Sequence, residues 1–154
     1  MTTVHASAVL VGARAVLIRG PSGSGKSRLA LELIESVRSG FLPFARLVGD
    51  DRVHLRAAGG RLLVHPAEVL AGRIEVRGLG ILRFPHEPSA VVGLIIDLAA
   101  ETERLPDTQE QHAVLEGINL PRLAVAEGTG ALSRVLVLLT SWQEVFAGQD
   151  LRIS

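Results

Sequence analysis

Eight consecutive residues, Gly20-Pro21-Ser22-Gly23-Ser24-Gly25-Lys26-Ser27, fit the spacing G-x-x-x-x-G-K-[ST] at every fixed position. Each residue type has a use in holding a nucleotide's phosphates. Glycines let successive backbone N–H groups turn inward around phosphate oxygens. A helix starting where the loop ends adds the partial positive charge of its N-terminus. Lys26 has the reach for the β- and γ-phosphates, and the Ser27 hydroxyl suits Mg²⁺. Lys26 is also the only lysine in the chain. A compact ammonium on a flexible stem follows a moving γ-phosphate, whereas arginine's planar fork suits fixed pairing. The alternative, a solvated glycine-rich turn, is disfavoured by the flanks, because an apolar run precedes the loop and helical spacing follows it.

The elements that must position this loop can be read on either side. Residues 8–11 and 15–18 are short apolar runs around the turn-like Gly12-Ala13-Arg14, which predicts a hairpin. Residues 27–37 carry Leu29, Leu33 and Val37 with Ala30 and Ile34 beside them, which predicts a helix stopped by Gly40. The stretch ARLVGDDRVHL reads as strand, acidic break, strand. Gly59-Gly60 then turns the chain, so residues 53–65 form a second expected hairpin. Residues 73–84, RIEVRGLGILRF, predict two short strands around a glycine hinge. Residues 91–98 are apolar apart from a late acid, Asp97, as in a strand buried on both faces. Residues 101–120 are polar and define no element, while residues 122–126 read as a strand. Leu132, Val135, Leu136, Leu139, Trp142, Val145 and Phe146 fall at helical spacing and predict a C-terminal amphipathic helix packed in the core or against another subunit. The class is α/β with added antiparallel hairpins.

Composition narrows the setting. A chain of 154 residues suits one domain with a sizeable core. Hydrophobic residues at 47% and charged residues at 21% are ordinary for a soluble globular protein. A formal net charge of zero argues against general attraction to nucleic acid or anionic lipid. With no cysteine, disulfides and thiolate metal sites are excluded. No signal-like start or membrane-length apolar run is present, so a cytoplasmic protein without nucleic-acid or membrane partners is expected.

Three further features bear on chemistry. Asp50 and Asp51 end an apolar strand, where phosphate-binding folds place a carboxylate that meets Mg²⁺ or accepts a proton; a solvated turn accounts for the pair equally well. Glu75, Val76, Arg77, Gly78, Leu79, Gly80 and Ile81 read on composition alone as a bulged hairpin. His5 alone reads as an exposed terminal histidine, and His54, His65, His86 and His112 lack metal-ligand spacing.

Taken together and in order, an upstream histidine, the G-x-S-G-x-G-K-S loop, VGDDRV and EVRGLGI resemble the catalytic domain of bacterial HPr kinase/phosphorylase. The last stretch matches that family's signature E-[IV]-R-G-[LV]-G-[IL]. The likeness runs over roughly residues 4–130 and is greatest to the short, alphaproteobacterial form, so a single catalytic domain over residues 1–154 is expected, without the N-terminal domain of longer enzymes. The resemblance implies a P-loop nucleotide-binding fold of the phosphoenolpyruvate-carboxykinase-like kind with a mixed sheet. It also implies ATP and Mg²⁺ as cofactors, a hexamer, and HPr or an HPr-like phosphocarrier of the sugar phosphotransferase system as the partner phosphorylated on serine. Residue by residue, it implies that Lys26 and the loop hold the phosphates, that Ser27 and Glu75 bind Mg²⁺, and that Asp51 accepts the serine proton. Asp50 would support the metal or the base, His5 matches the active-site histidine, and Arg104 matches the arginine of the family's D-R-L stretch, although the preceding acid here is Glu103. Two alternatives are a P-loop kinase for a small metabolite, which usually carries an arginine-rich lid and no EVRGLGI-like stretch, and an ATP-sensing regulator with little turnover.

One departure sets this chain apart. The family's later loop resembles P-V-R-P-G-R and is linked to removing phosphate from phosphoserine. The matching residues here are Ala124, Val125, Ala126, Glu127, Gly128 and Thr129. Holding inorganic phosphate against a phosphoserine requires cations between two anions, and arginine supplies them through bidentate contacts. Both arginines are missing and an acid is added, although Arg122 or Arg134 could in principle swing in. The expected outcome is forward transfer with weak or no reversal. With phosphorylated partner, millimolar phosphate and Mg²⁺ but no ATP, pyrophosphate release should be far slower than the forward reaction; comparable rates would show that the loop change is neutral.

Overall fold

The computed structural model describes residues 1–100, 111–126 and 130–141. Its frame follows from the hairpins. Gly12 at φ 62° turns β2 (Ala6–Val11) into β3 (Arg14–Arg19) as an antiparallel pair. On the other edge of β2 lies β4 (Ala45–Gly49), also antiparallel to it, so β4 runs in the same direction as β3. The apolar run foreseen at residues 91–98 is β9 (Ala90–Leu98), parallel to β3. It reads as an unbroken hydrophobic stretch because both of its faces are covered: Leu94 and Ile96 join the core on one side, Val92 and Ile95 the core on the other.

The remaining strands close the sheet around this centre. The hairpin of β5 (Val53–Ala58) and β6 (Arg61–Pro66) turns at Gly59-Gly60 and meets β9 near Ala90. Further along the same edge, β11 (Ile118–Val125) pairs in parallel with Ile95 to Leu98 of β9. The order is β1-β5-β6-β9-β3-β2-β4, with β10 (His112–Leu115) and β11 joined on through β9. The mixed sheet and C-terminal helix agree with the α/β expectation.

One face is covered by α1 (Lys26–Glu35) and α2 (Ala131–Ser141), whose Leu29, Leu33, Val135 and Leu139 pack with Val16, Ile18 and Ile96. On the other face Leu17, Val53, Leu55, Leu62 and Ile95 form a second core beneath the curled hairpins. A separate two-stranded ribbon, β7 (Arg73–Val76) with β8 (Gly80–Arg83), lies beside α1. The Leu79 N–H donates to the Val76 carbonyl at 3.0 Å and Gly78 takes φ 87°, a type II turn that needs glycine at its third position.

Several boundaries differ from expectation. Helix α1 ends at Glu35, and residues 36–40 follow as turns before Gly40 at φ 80° redirects the chain. The polar region 101–120 contains β10 and the start of β11, joined at Glu116-Gly117, both with positive φ. That two-residue turn is the signal that was missed, because polar flanks hid the alternation. The strand expected at 122–126 therefore begins at Ile118. β1 (Thr2–Val4) is too short and polar to read; it forms because it pairs antiparallel with β5. Trp142, Val145 and Phe146 lie outside the described residues.

Leu17 is fully buried in the middle of the sheet. Leu17→Ala should destabilise the protein by about 2–5 kcal/mol, read as a lower urea midpoint with the slope unchanged.

Candidate functional site

The strand directions concentrate four loops at one edge. β4, β3, β9 and β11 are mutually parallel, so residues 50–52, the 20–25 loop, and the segments after Leu98 and Val125 all leave the carboxyl ends of neighbouring strands. Open α/β sheets bind their ligands in that position.

The loop between β3 and α1 is shaped by close approach. A Cβ on Gly20 would lie 2.5 Å from Ser24 Oγ and 3.1 Å from the Leu98 backbone oxygen, so no side chain fits there. The Ser24 N–H donates to the Pro21 carbonyl at 3.0 Å. Gly25, at φ 97°, caps α1, and its carbonyl accepts the Leu29 N–H at 2.9 Å. The N–H groups of Lys26, Ser27 and Arg28 precede that first helical bond and have no carbonyl of the helix to meet. No side chain caps this end and its first turn holds no acid. The helix start is therefore an uncompensated cluster of donors suited to an anion. Beside it, the buried Ser24 hydroxyl has no partner among the described residues. Lys26 Nζ folds back onto the Gly20 and Pro21 carbonyls at 2.9 and 3.1 Å.

Ser27 points to the end of β4. Its hydroxyl lies 2.8 and 2.9 Å from the two carboxylate oxygens of Asp50, which is only 3% exposed. Ser7 of β2 donates to the same carboxylate at 2.6 Å. The structure thus brings Ser27 and Asp50 together and adds Ser7, which sequence reasoning missed. The signal was a single hydroxyl in the otherwise apolar ASAVLV.

Asp51 lies at the surface. It is exposed, with φ 67°, and the Arg52 N–H donates to the Asp50 carbonyl at 2.7 Å across it. This is a γ-turn of the rare positive-φ form, a strain of about 1–3 kcal/mol of the kind found at functional sites. The register that matches Val4 with Val53 and Ala8 with Gly49 sets His5, Ala6 and Ser7 across from Arg52, Asp51 and Asp50. His5 is exposed and, by the pairing of Ala6 with Arg19, adjoins the start of the loop.

Glu75 shares no hydrogen bond with this set. It is exposed on the β7–β8 ribbon, and among the described residues no three acidic, histidine or cysteine side chains gather as a metal cluster. Leu79 and Ile81 of the same ribbon are exposed. Arg104 and residues 127–129 lie outside the described residues.

On the opposite face of the same edge Asp97, read from sequence only as a late acid in an apolar strand, joins a charge cluster. Asp97 accepts two bonds from Arg19, at 2.7 and 2.8 Å, and one from Arg122. Burial pushes its carboxyl up, but the hydrogen bonds and charges of Arg19 and Arg122 outweigh burial and hold it below the ordinary 3.8. Arg122, one cation that could have served the residue 124–129 loop, is engaged here.

The fold and site define an α/β protein whose glycine-rich loop opens at the carboxyl edge of parallel strands. The chain belongs to the HPr Serine kinase C-terminal domain family, whose model matches residues 1–137. It is 34% identical over 149 residues to the HPr kinase/phosphorylase of Streptococcus thermophilus (strain ATCC BAA-491 / LMD-9), covering 88% of this chain and 46% of that protein. The HPr kinase/phosphorylase of Geobacillus thermodenitrificans is 34% identical over 152 residues, with 88% and 46% covered. The chain thus spans about half the length of the curated relatives it matches. The solved Hpr(Ser) kinase/phosphatase of Coxiella burnetii superposes with a TM-score of 0.76 at 25% identity, covering 96% of this chain and 94% of that one. Among the described residues no helix is long and apolar enough to cross a membrane.

The Asp97 cluster has a pH signature. A carboxyl held below its ordinary value in the folded state contributes stability above the unfolded value and loses it as pH falls through the folded one. Asp97→Asn should cost on the order of 1–2 kcal/mol near neutral pH. The gap from wild type should stay constant down to pH about 5 and close once pH falls below the ordinary 3.8, in urea titrations at a series of pH values. A gap that persists undiminished at pH about 2 would contradict the assignment.

Proposed function

We propose that this chain is an Mg·ATP-dependent serine protein kinase acting on HPr or an HPr-like phosphocarrier. The observation that carries the reading is the Ser27–Asp50 contact directly beyond an uncapped helix start, in a chain of the HPr kinase family. In this reading the chain folds as a P-loop nucleotide-binding domain. The N–H groups at the start of α1 and the Lys26 ammonium, released from the loop carbonyls, receive the β- and γ-phosphates. The donor set is a hydroxyl and carboxylates, hard oxygen ligands suited to Mg²⁺. Ser27 and Asp50 would hold the ion, with Glu75 added by family resemblance. When bound, Mg²⁺ supplies charge neutralisation at the phosphates.

Asp51 is the acceptor of the proton. Exposed and next to Asp50, it can receive the hydrogen of an incoming serine hydroxyl as that oxygen bonds to the γ-phosphorus and the bond to ADP breaks. His5, across the strand pair from this turn, would steady the carboxylate or the incoming group. Arg104 would offset charge on the transferring phosphoryl group. Engagement of Arg122 by Asp97 supports a bias toward the forward direction. Association into a hexamer and a cytoplasmic location belong to the same reading.

The test is γ-labelled ATP, Mg²⁺ and purified HPr from the same organism. Label should appear on a serine of HPr. Lys26→Ala should abolish transfer while remaining folded. Asp51→Asn should bind ATP but lose about two to four orders of magnitude in rate, whereas Asp50→Asn should chiefly raise the Mg²⁺ requirement. Near-normal transfer by folded Lys26→Ala, or the reverse pattern for the two aspartates, would overturn the roles. Label on a small molecule would indicate a metabolite kinase, and tight ATP binding without transfer an ATP sensor.

A further inference from the structure

Ser7 is the one polar residue of β2, and it is fully buried. A serine at such a position is retained for its hydroxyl, since alanine or valine would pack an apolar strand without desolvating a donor. Its hydroxyl reaches one acceptor, Asp50 Oδ1, at 2.6 Å, while Ser27 lies 2.8 Å from Oδ1 and 2.9 Å from Oδ2.

The two serines differ in what else they must do. Ser27 opens the helix after the phosphate loop and carries a single hydroxyl proton for two carboxylate oxygens. Ser7 belongs to a strand locked between β3 and β4 and has no second task. The last torsion of an aspartate is broad, so one hydroxyl does not fix the plane of its carboxylate. A second hydroxyl from a rigid strand does. With Ser7 held on Oδ1 the carboxylate keeps its plane, and the Ser27 oxygen keeps lone pairs for a cation.

We infer that Ser7 is a positioning residue that holds the Asp50 carboxylate in the orientation needed for the divalent cation, and keeps it there when Ser27 turns its oxygen toward the ion. This rests on the proposed nucleotide and metal reading of the same site.

The test uses the whole chain with Mn²⁺ in place of Mg²⁺ and a non-hydrolysable ATP analogue, following bound Mn²⁺ by electron paramagnetic resonance. Ser7→Ala removes hydroxyl and volume. Ser7→Cys keeps the volume but offers only a weak donor. Ser7→Thr restores the hydroxyl. Both Ser7→Ala and Ser7→Cys should bind Mn²⁺ about tenfold more weakly in the presence of the analogue, with analogue binding in EDTA unchanged. Ser7→Thr should approach wild type; if its extra methyl prevents folding, the comparison of alanine with cysteine decides. Wild-type Mn²⁺ affinity in a folded Ser7→Cys protein would mean that only volume matters and would overturn the inference. If the wild type itself binds no Mn²⁺ with the analogue, the nucleotide and metal reading fails, and the inference with it.

Discussion

A buried carboxylate must be hydrogen-bonded or it costs several kcal/mol, and Asp50 is 3% exposed at the end of β4. That requirement organises the site. Ser7 of β2 and Ser27 at the start of α1 satisfy the carboxylate, so two elements distant in sequence are fixed to the strand end between them. The tightness of the corner follows from the residue before it. A Cβ on Gly49 would lie 2.6 Å from Val53 Cγ1 and 3.3 Å from Pro66 Cα, so only glycine lets the chain turn so closely onto the neighbouring hairpin. The residue after Asp50 takes up the strain: Asp51 adopts a positive φ and is exposed.

The sheet converts this local arrangement into a site. Because β4, β3, β9 and β11 run parallel, the aspartate turn, the glycine-rich loop and the two following segments emerge side by side. The two faces of that edge carry different chemistry. The helix side holds the Ser7–Asp50–Ser27 set and the open donors of α1. The opposite side holds Asp97 between Arg19 and Arg122, a cluster that ties the strand entering the loop to the strand leading toward residues 127–129. Arg19 immediately precedes Gly20, so the loop is held on both faces of the sheet.

Much of this was legible in the sequence, for reasons specific to particular residues. The glycine-rich loop and the Asp50–Asp51 corner declared themselves because glycine and aspartate mark backbone that cannot be regular. Residues 91–98 declared themselves because a strand buried on both faces has no polar alternation. What stayed hidden depends on partners far along the chain. Thr2 to Val4 is a strand only because β5 lies opposite, and Ser7 matters only because Asp50, 43 residues later, reaches it. Glu75 belongs to a stretch read as a signature, and its ribbon pairs only within itself while lying beside α1.

In the proposed function the start of α1 and the Ser27–Asp50 pair together receive a metal-bound nucleotide. The most direct measurement is the anomalous scattering of Mn²⁺ in crystals grown with a non-hydrolysable ATP analogue. One strong peak is expected in contact with Ser27 Oγ and adjoining Asp50, with the β- and γ-phosphates on the N–H groups of the loop and helix start. A nucleotide bound elsewhere, or a metal peak away from Ser27 and Asp50, would contradict it.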